Sequence, residues 1–209
     1  EDEKIDEHVR CNKINLFSSL NAYSCTGTPV DCVKMGLFLL KGEKPDLILS
    51  GINHGSNVST NILYSGTMSA AVEGALAGIP SVGYSLTDYS EDADFDYSMK
   101  VVRLISKKVI KEGLKLGTCL NVNIPNVKED KIKGIKACRQ GKAFWDDTFD
   151  HRKDPLGKDY YWLTGSFGSK EPAPDTDINY LENNYVTIVP TQYDLTCHDS
   201  VEELKKWKL

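Results

Sequence analysis

The chain has 209 residues, a formal net charge of −5 and 40% hydrophobic residues, which suits one domain with a sizeable core. Its acidic balance argues against a broad surface for nucleic acids or anionic membranes, though not against a small phosphorylated ligand. No apolar run is long enough to span a bilayer, and the charged start lacks the apolar region of a signal peptide. We therefore expect a soluble, cytoplasmic protein.

The first clear element is a helix that we predict to begin at Pro29. Thr28 is suited to cap it, Pro29 to occupy its first position, and Asp31 to complete a Thr-x-x-Asp box. Apolar residues at helical spacing follow: Val30, Val33, Leu37 and Leu40. Gly42 is predicted to end this element, which would supply one half of an α/β unit.

Residues 45–86 predict a strand, a loop, a helix and a second strand. Leu47, Ile48 and Leu49 form a continuous apolar run, the pattern of a parallel strand buried on both faces. Small and polar residues crowd where this strand ends: Ser50, Gly51, Asn53, His54, Gly55, Ser56 and Asn57. Open α/β sheets bind their ligands at the carboxyl ends of their strands, so this loop is a candidate site.

A second candidate site lies at Ser65-Gly66-Thr67, directly before an alanine-rich helical run that ends near Gly78. Ser65 or Thr67 is suited to cap this helix, whose first N–H groups lack partners and bind anions readily. Gly66 would let an anion approach the backbone closely. The alternative is that these residues only cap the helix.

The second half of the chain predicts a helix that stops at Gly113, a strand over residues 120–125, and then a change of pattern. Asn121 and Asn123 could face a ligand, but we favour a turn-forming role for them. Short β-like runs follow over residues 135–138, 160–163 and 185–189, separated by Gly, Pro and Asp. They predict an antiparallel appendage.

The motifs of several enzyme classes are missing from the sequence. It has no Gly-x-Ser-x-Gly elbow, which argues against serine hydrolysis. It also has no phosphate-binding P-loop and no His-Glu-x-x-His pair. Six cysteines occur without zinc-like spacing: Cys11, Cys25, Cys32, Cys119, Cys138 and Cys197. We expect them to be reduced, mostly buried thiols.

Several motifs, taken together, resemble the survival protein E (SurE) family. They are Ser-Gly-Ile-Asn at 50–53, Asn57, Tyr-Ser-Gly-Thr at 64–67 with Glu73-Gly74 after it, and Thr-Gly-Thr-Pro-x-Asp-Cys at 26–32. Further matches in the same order are Asn-Val-Asn-Ile-Pro at 121–125, Arg-Gln-Gly at 139–141, Tyr-Tyr-Trp at 160–162 and Asp-Thr-Asp at 175–177. The resemblance covers nearly the whole chain from about residue 21.

This resemblance implies a divalent-metal-dependent 5′/3′-nucleotidase that hydrolyses nucleoside monophosphates with Mg²⁺ or Mn²⁺. The implied fold is α/β, a Rossmann-like parallel sheet core without its first strand, with a β-rich oligomerisation arm at residues 154–199. Asn53 is the implied metal ligand. Substrate or phosphate would be bound by Asn57, Ser65, Gly66 and Thr67, and the protein would be a homodimer or homotetramer.

One departure from the family pattern concerns the metal. The family begins with a strand leading into an Asn-Asp-Asp-Gly segment, whose aspartates hold the metal, and continues with an Arg-Ser-Gly-like loop that supplies a serine ligand. This sequence contains neither motif, so we expect a single SurE-like domain that is incomplete at its amino terminus. A hard cation needs several oxygen ligands, and the catalytic residues stay unassigned. Three hypotheses follow: a nucleotidase whose site a preceding segment completes, a fragment that binds phosphate without turnover, and an assembly module that acts through residues 154–199.

Overall fold

The structure is a computed structural model that describes residues 8–16, 18–168 and 173–208, so the charged start of the chain lies outside the described residues. The strands are β1 (Cys11–Ile14), β2 (Ala22–Cys25), β3 (Ile48–His54), β4 (Ser81–Leu86), β5 (Thr118–Ile124), β6 (Ile135–Ala137), β7 (Phe144–Lys153), β8 (Asp159–Gly168) and β9 (Val186–Gln192). The helices are α1 (Pro29–Leu39), α2 (Gly66–Leu76), α3 (Asp96–Glu112), α4 (Asp177–Glu182) and α5 (His198–Leu204). Short 3₁₀ turns lie at Ser59–Tyr64 and Glu129–Lys131.

A five-stranded sheet in the order β3-β4-β5-β9-β6 forms the centre of the fold. Strands β3, β4 and β5 are parallel, whereas β9 runs antiparallel to β5 and parallel to β6. Helices α2 and α3 pack against this sheet. The predicted Rossmann-like α/β class is confirmed. Within the described residues, no helix is both long and apolar enough to cross a membrane.

The helix boundaries follow the capping residues. The Thr28 hydroxyl oxygen accepts a hydrogen bond from the Asp31 N–H, and the Asp31 carboxylate accepts one from the Thr28 N–H, so α1 begins at Pro29 as predicted. Gly113 ends α3 with a φ of 73°, a left-handed value that glycine adopts without steric cost. Both boundaries depend on local chemistry that the sequence displays directly.

The hydrophobic core lies between the sheet and its helices. Helix α3 packs on β4 and β5 through buried side chains: Val82, Tyr84, Leu86, Val101, Ile105, Val109, Val122 and Ile124. Helix α2 forms a second cluster with Met68, Ala71, Ala75 and Cys119. An added carbon at Gly74 would overlap the Ser81 hydroxyl, so the missing side chain lets α2 approach β4 closely.

The prediction that the strand at residues 47–49 is buried on both faces is wrong. Leu49 is 47% exposed, and burial alternates along β3. The reason is that β3 lies at an edge of the sheet, where β4 is its one strand partner among the described residues. A continuous apolar run therefore did not distinguish an edge strand from a central one.

Of the three runs predicted for an antiparallel appendage, only the one at residues 160–163 lies in such an element. It belongs to β8, which pairs with β7 in a separate hairpin with Phe144 opposite Gly168. Strands β6 and β9 join the main sheet instead. The proposed arm at residues 154–199 thus begins inside the hairpin and includes a central strand of the sheet; its residues 169–172 lie outside the described residues. Whether the hairpin mediates oligomerisation stays a prediction.

The expected burial of the cysteines is largely wrong. All six are free thiols, but only Cys119 is fully buried, and Cys32 and Cys197 are exposed. Apolar sequence neighbours predicted burial poorly here because several cysteines lie in peripheral elements rather than under α2 or α3.

Candidate functional site

A cavity of about 740 Å³ opens beyond the carboxyl end of β3. Its walls come from the segment that follows β3, the 3₁₀ turn, the loop after β4 and the hairpin. Asn53, Asn57 and Ser65 all line it, so the structure brings these three predicted residues together. Gly66 and Thr67 do not line the cavity and lie in the first turn of α2. The cavity is therefore built mainly from loops at one edge of the sheet.

Asn53 is held by its own backbone neighbours. Its amide nitrogen donates hydrogen bonds to the carbonyl oxygens of His54 at 3.0 Å and Gly55 at 2.9 Å. Because both bonds use the nitrogen, the amide oxygen points away from these carbonyls and is the atom left to contact a ligand. The described residues contain no group of three His, Cys, Asp or Glu side chains placed to hold a metal ion. Asn53 thus fits one metal ligand, and the described residues supply no carboxylate cluster to accompany it.

Asn57 belongs to a buried network of polar side chains. Its N–H donates to Oδ1 of Asn123 at 2.7 Å, and its side-chain nitrogen donates to the Ser85 hydroxyl at 2.7 Å. The Asn121 amide donates to the Asn57 carbonyl at 2.7 Å, and the Asn123 amide donates to Asn121 Oδ1 at 3.0 Å. All four residues are buried, so the network fixes the backbone of Asn57 at the cavity.

The turn-forming role favoured for Asn121 and Asn123 is therefore wrong. Both lie inside β5, on the same face, because side chains alternate along a strand. Ser85 lies opposite Asn123 on β4. The alternation of Asn121, Val122 and Asn123 was the available signal, since it places two amides on one side of a strand whose other side is apolar.

Ser65, rather than Thr67, caps α2. Its hydroxyl oxygen accepts a hydrogen bond from the Met68 N–H at 3.1 Å, which leaves the hydroxyl proton available to a ligand. The N–H groups of Gly66 and Thr67 have no acceptor within the helix, because they belong to its first turn. An added carbon at Gly66 would lie 3.1 Å from Cγ of Pro29. Close packing against α1 is thus a second reason for glycine here, and its role in anion approach stays a prediction.

Aromatic side chains form a further part of the cavity wall that the sequence analysis did not identify. The Tyr89 ring lies against Gly55, where an added side chain would overlap it. The loop carrying Tyr89 is anchored because the Gly55 N–H donates to the carbonyl of Asp88 at 3.0 Å and the Asn126 amide donates to the Asp88 carboxylate at 2.9 Å. Hydrogen bonds from the Ser90 N–H and hydroxyl hold the pKa of Asp88 below its usual value.

The hairpin contributes three further apolar residues to the cavity, which are Phe144, Trp145 and Leu163. Trp145 is 48% exposed, and its ring centroid lies 5.6 Å from that of Phe167 on the paired strand. Isolated aromatic residues in a β-like run carry no sequence signal that distinguishes a cavity wall from a surface.

Comparison with known proteins identifies the family. The family model described as Survival protein SurE matches residues 2–147. The chain belongs to the SurE family. A 5′-nucleotidase SurE from Christiangramia forsetii is 51% identical over 207 residues, which cover 98% of this chain and 80% of that protein. A 5′-nucleotidase SurE from Flavobacterium psychrophilum is 48% identical over 206 residues, again 98% of this chain and 80% of the relative.

The fold agrees with a solved SurE structure. The crystal structure of SurE protein from Aquifex aeolicus matches this fold with a TM-score of 0.81, and the two sequences are 40% identical. The match covers 96% of this chain and 79% of that one. Membership of the SurE family and the mainly parallel α/β sheet thus rest on both sequence and structure.

Proposed function

We propose that this SurE-family chain carries the substrate site of a metal-dependent phosphomonoesterase that converts nucleoside 5′- or 3′-monophosphates to nucleoside and phosphate. One observation carries the proposal: a single cavity contains a helix-capping serine, an oriented asparagine amide and several aromatic side chains. The names of the relatives, 5′-nucleotidase SurE, support a nucleotidase.

The phosphate is assigned to the start of α2. The Ser65 hydroxyl lines the cavity and offers a donor. The N–H groups of Gly66 and Thr67 do not line it but follow in the first turn of α2, where the positive end of the helix dipole favours an anion. Asn57, held rigidly by Asn121 and Asn123, lines the same cavity. Hydrogen bonds to a charged group contribute about 1.5–3 kcal/mol each, so a few such donors suffice to hold phosphate.

The nucleoside is assigned to the aromatic wall. A cavity of about 740 Å³ lies within the usual range of about 300–1,000 Å³ for small-molecule sites. Tyr89 and Trp145 present flat apolar surfaces there, and stacking of a base on an aromatic side chain contributes about 1–3 kcal/mol. These walls favour a nucleotide over phosphate esters without an aromatic group.

We propose Mg²⁺ or Mn²⁺ as the cofactor, with the amide oxygen of Asn53 as one ligand. A single neutral oxygen does not hold a hard cation, so the proposal assigns the other ligands to aspartates and a serine of the kind in the family's Asn-Asp-Asp-Gly and Arg-Ser-Gly motifs. When bound, such a cation polarises a phosphoryl oxygen and activates water. The residues of this chain bind the phosphate, orient the base and present the Asn53 oxygen.

The test compares two proteins for phosphate release from AMP with Mn²⁺ and with excess chelator. One is the 209-residue chain, and the other is the same chain preceded by a SurE amino-terminal region with both missing motifs. We expect Mn²⁺-dependent hydrolysis only from the longer protein, and its loss in the Asn53→Ala variant. AMP should bind to both proteins by calorimetry.

Two outcomes would contradict the proposal. Strong Mn²⁺-dependent hydrolysis by the 209-residue chain would show that the ligand assignment is wrong. The alternative, a SurE-like chain that binds phosphate without turnover, would be supported if the longer protein bound AMP but released no phosphate with any divalent cation added.

A further inference from the structure

A buried carboxylate joins three distant parts of the chain beside the cavity. Asp177, the first residue of α4, is fully buried. Its Oδ2 accepts a hydrogen bond from the Ser59 N–H at 2.8 Å, and its Oδ1 accepts one from the Gly141 N–H at 2.8 Å. Oδ1 also accepts from the Ile178 N–H at 2.8 Å. The Ser59 hydroxyl donates to Oδ1 as well, at 3.4 Å, so the carboxylate accepts from three backbone N–H groups and one hydroxyl.

Ser59 is the member of this junction that leads to the cavity. It is fully buried and has a φ of 54°, a left-handed conformation that is unfavourable for a residue with a side chain. Its N–H is separated from Asp177 by 118 positions in the sequence. The unfavourable backbone therefore depends on a contact from the far end of the chain.

Gly141 completes the junction through its lack of a side chain. An added carbon there would overlap the Ser59 hydroxyl and would lie 3.0 Å from Oδ1 of Asp177. Two residues beyond Gly141, the Ala143 carbonyl accepts hydrogen bonds from the Thr60 N–H at 3.3 Å and hydroxyl at 2.7 Å. The start of the 3₁₀ turn is consequently tied to two segments from the second half of the chain.

We propose that Asp177 is a positioning residue for the phosphate site, acting through Ser59; this inference rests on the proposed function. Ser59 lies two residues after Asn57 and begins the 3₁₀ turn that runs directly into Ser65. Asn57 is held on one side by Asn123. Asp177 holds Ser59 on the other side. Asn57 and Ser65, the cavity residues before and after Ser59, therefore keep their spacing.

The chemistry of the junction requires a carboxylate. Both oxygens of Asp177 accept from N–H groups, whereas an asparagine would present an NH₂ group to Ser59 or to Gly141 and could not accept there. Asp177→Asn keeps the size of the side chain and should release one of these N–H groups without creating a cavity.

The test compares Asp177→Asn with a matched core variant, Val109→Ala. Val109 belongs to α3 and lies in the main hydrophobic cluster, away from the cavity. Both are expected to lower the melting temperature. Hydrogen–deuterium exchange should show loss of protection at residues 57–65 only in Asp177→Asn. Calorimetry with inorganic phosphate should show at least tenfold weaker binding for Asp177→Asn and less than twofold change for Val109→Ala.

Gly141→Ala provides a second variant should Asp177→Asn fail to fold, because it pushes against Ser59 and Asp177 while keeping the carboxylate. We expect the same local exchange and weaker phosphate binding. The inference would be overturned if hydrogen–deuterium exchange at residues 57–65 or phosphate affinity stayed unchanged. It would also be overturned if Val109→Ala lost as much phosphate affinity as Asp177→Asn. Absence of phosphate binding by the unsubstituted chain would overturn the proposed function and this inference with it, whereas failure confined to the variants would overturn the inference alone.

Discussion

The N–H of Asn57 donates a hydrogen bond to the side-chain oxygen of Asn123, 2.7 Å away and 66 positions later in the sequence. This bond ties the loop after β3 to the middle strands of the sheet. Since Asn123 is fully buried and also donates to Asn121, neither bond can be replaced by water without rearrangement.

Asn123→Ala should therefore destabilise the protein and weaken phosphate binding together. It leaves the Asn57 N–H without its acceptor and Asn121 Oδ1 without its donor, and each unsatisfied buried group costs about 1–3 kcal/mol. Urea unfolding should report this loss, and calorimetry should report weaker phosphate binding. The control is Asn183→Ala, an exposed asparagine that follows α4 and whose side chain donates to the carbonyl of Asn179 in that helix. Equal stability of the two variants would contradict the prediction.

Ser65→Ala tests the proposed phosphate site by separating capping from binding. Loss of a helix cap costs about 1 kcal/mol, and loss of the hydroxyl also removes a donor to phosphate. Thr28→Ala is the matched control, because the Thr28 hydroxyl caps α1 by accepting from the Asp31 N–H and does not line the cavity. We expect similar falls in melting temperature but weaker phosphate binding only for Ser65→Ala. Phosphate affinity that is the same in both variants would mean that Ser65 is a cap and nothing more.

The parts of the fold that the sequence predicted are those set by near neighbours. Pro29 begins α1 and Ser65 caps α2 because each cap is completed within three residues. Asn53 and Asn57 were expected at a site near the end of a strand, and both line the cavity; their binding roles stay predictions. Local chemistry and motif spacing were sufficient for these positions.

The features that sequence reasoning missed depend on contacts between distant residues. The role of Asn121 requires its bond to Asn57, 64 positions earlier. The exposure of Leu49 follows from the edge position of β3, and the burial of β9 from its insertion between β5 and β6. A short apolar run has the same pattern in a central strand, an edge strand and a hairpin.

Tyr89 should discriminate nucleotides from phosphate. We expect Tyr89→Ala to weaken AMP binding by about 1–3 kcal/mol, the contribution of one stacked base, while inorganic phosphate binds as before. Tyr89→Phe keeps the ring and should retain AMP affinity. Calorimetry with AMP, ribose 5-phosphate and inorganic phosphate measures how much of the affinity comes from the base, the sugar and the phosphate. If Tyr89→Ala loses phosphate and AMP affinity equally, the aromatic wall does not contact the base.

The cysteines should differ strongly in reactivity. Burial raises the pKa of Cys119 to about 11, and burial with the nearby Asp177 charge raises that of Cys138 to about 11. A hydrogen bond from the Ser200 hydroxyl lowers the pKa of the exposed Cys197. Because the thiolate is the reacting form, iodoacetamide at pH 8 should modify Cys197 well before Cys119 and Cys138, as measured by peptide mass mapping. All six should react in urea, and early modification of Cys119 would contradict its burial.

The hairpin of β7 and β8 offers a test of the proposed homodimer or homotetramer. All of β7 is exposed, as are the large apolar side chains Phe149, Tyr161, Trp162 and Leu163. A two-stranded hairpin is at best marginally stable alone in water, so we propose that it packs against another copy. Deleting residues 154–199 would not test this, because the deletion removes β9 from the sheet.

A better variant replaces residues 148–164 with Asn-Gly. Asp147 and Gly165 are paired across the hairpin, so a two-residue turn of this type can join them and leaves Phe144 and Trp145 in place. We expect the sheet to keep its thermal transition while sedimentation shows a monomer. Leu116→Ser, which removes a side chain that is 82% exposed elsewhere on the surface, is the control and should leave assembly unchanged. An oligomer that survives the replacement would show that the copies associate through another surface.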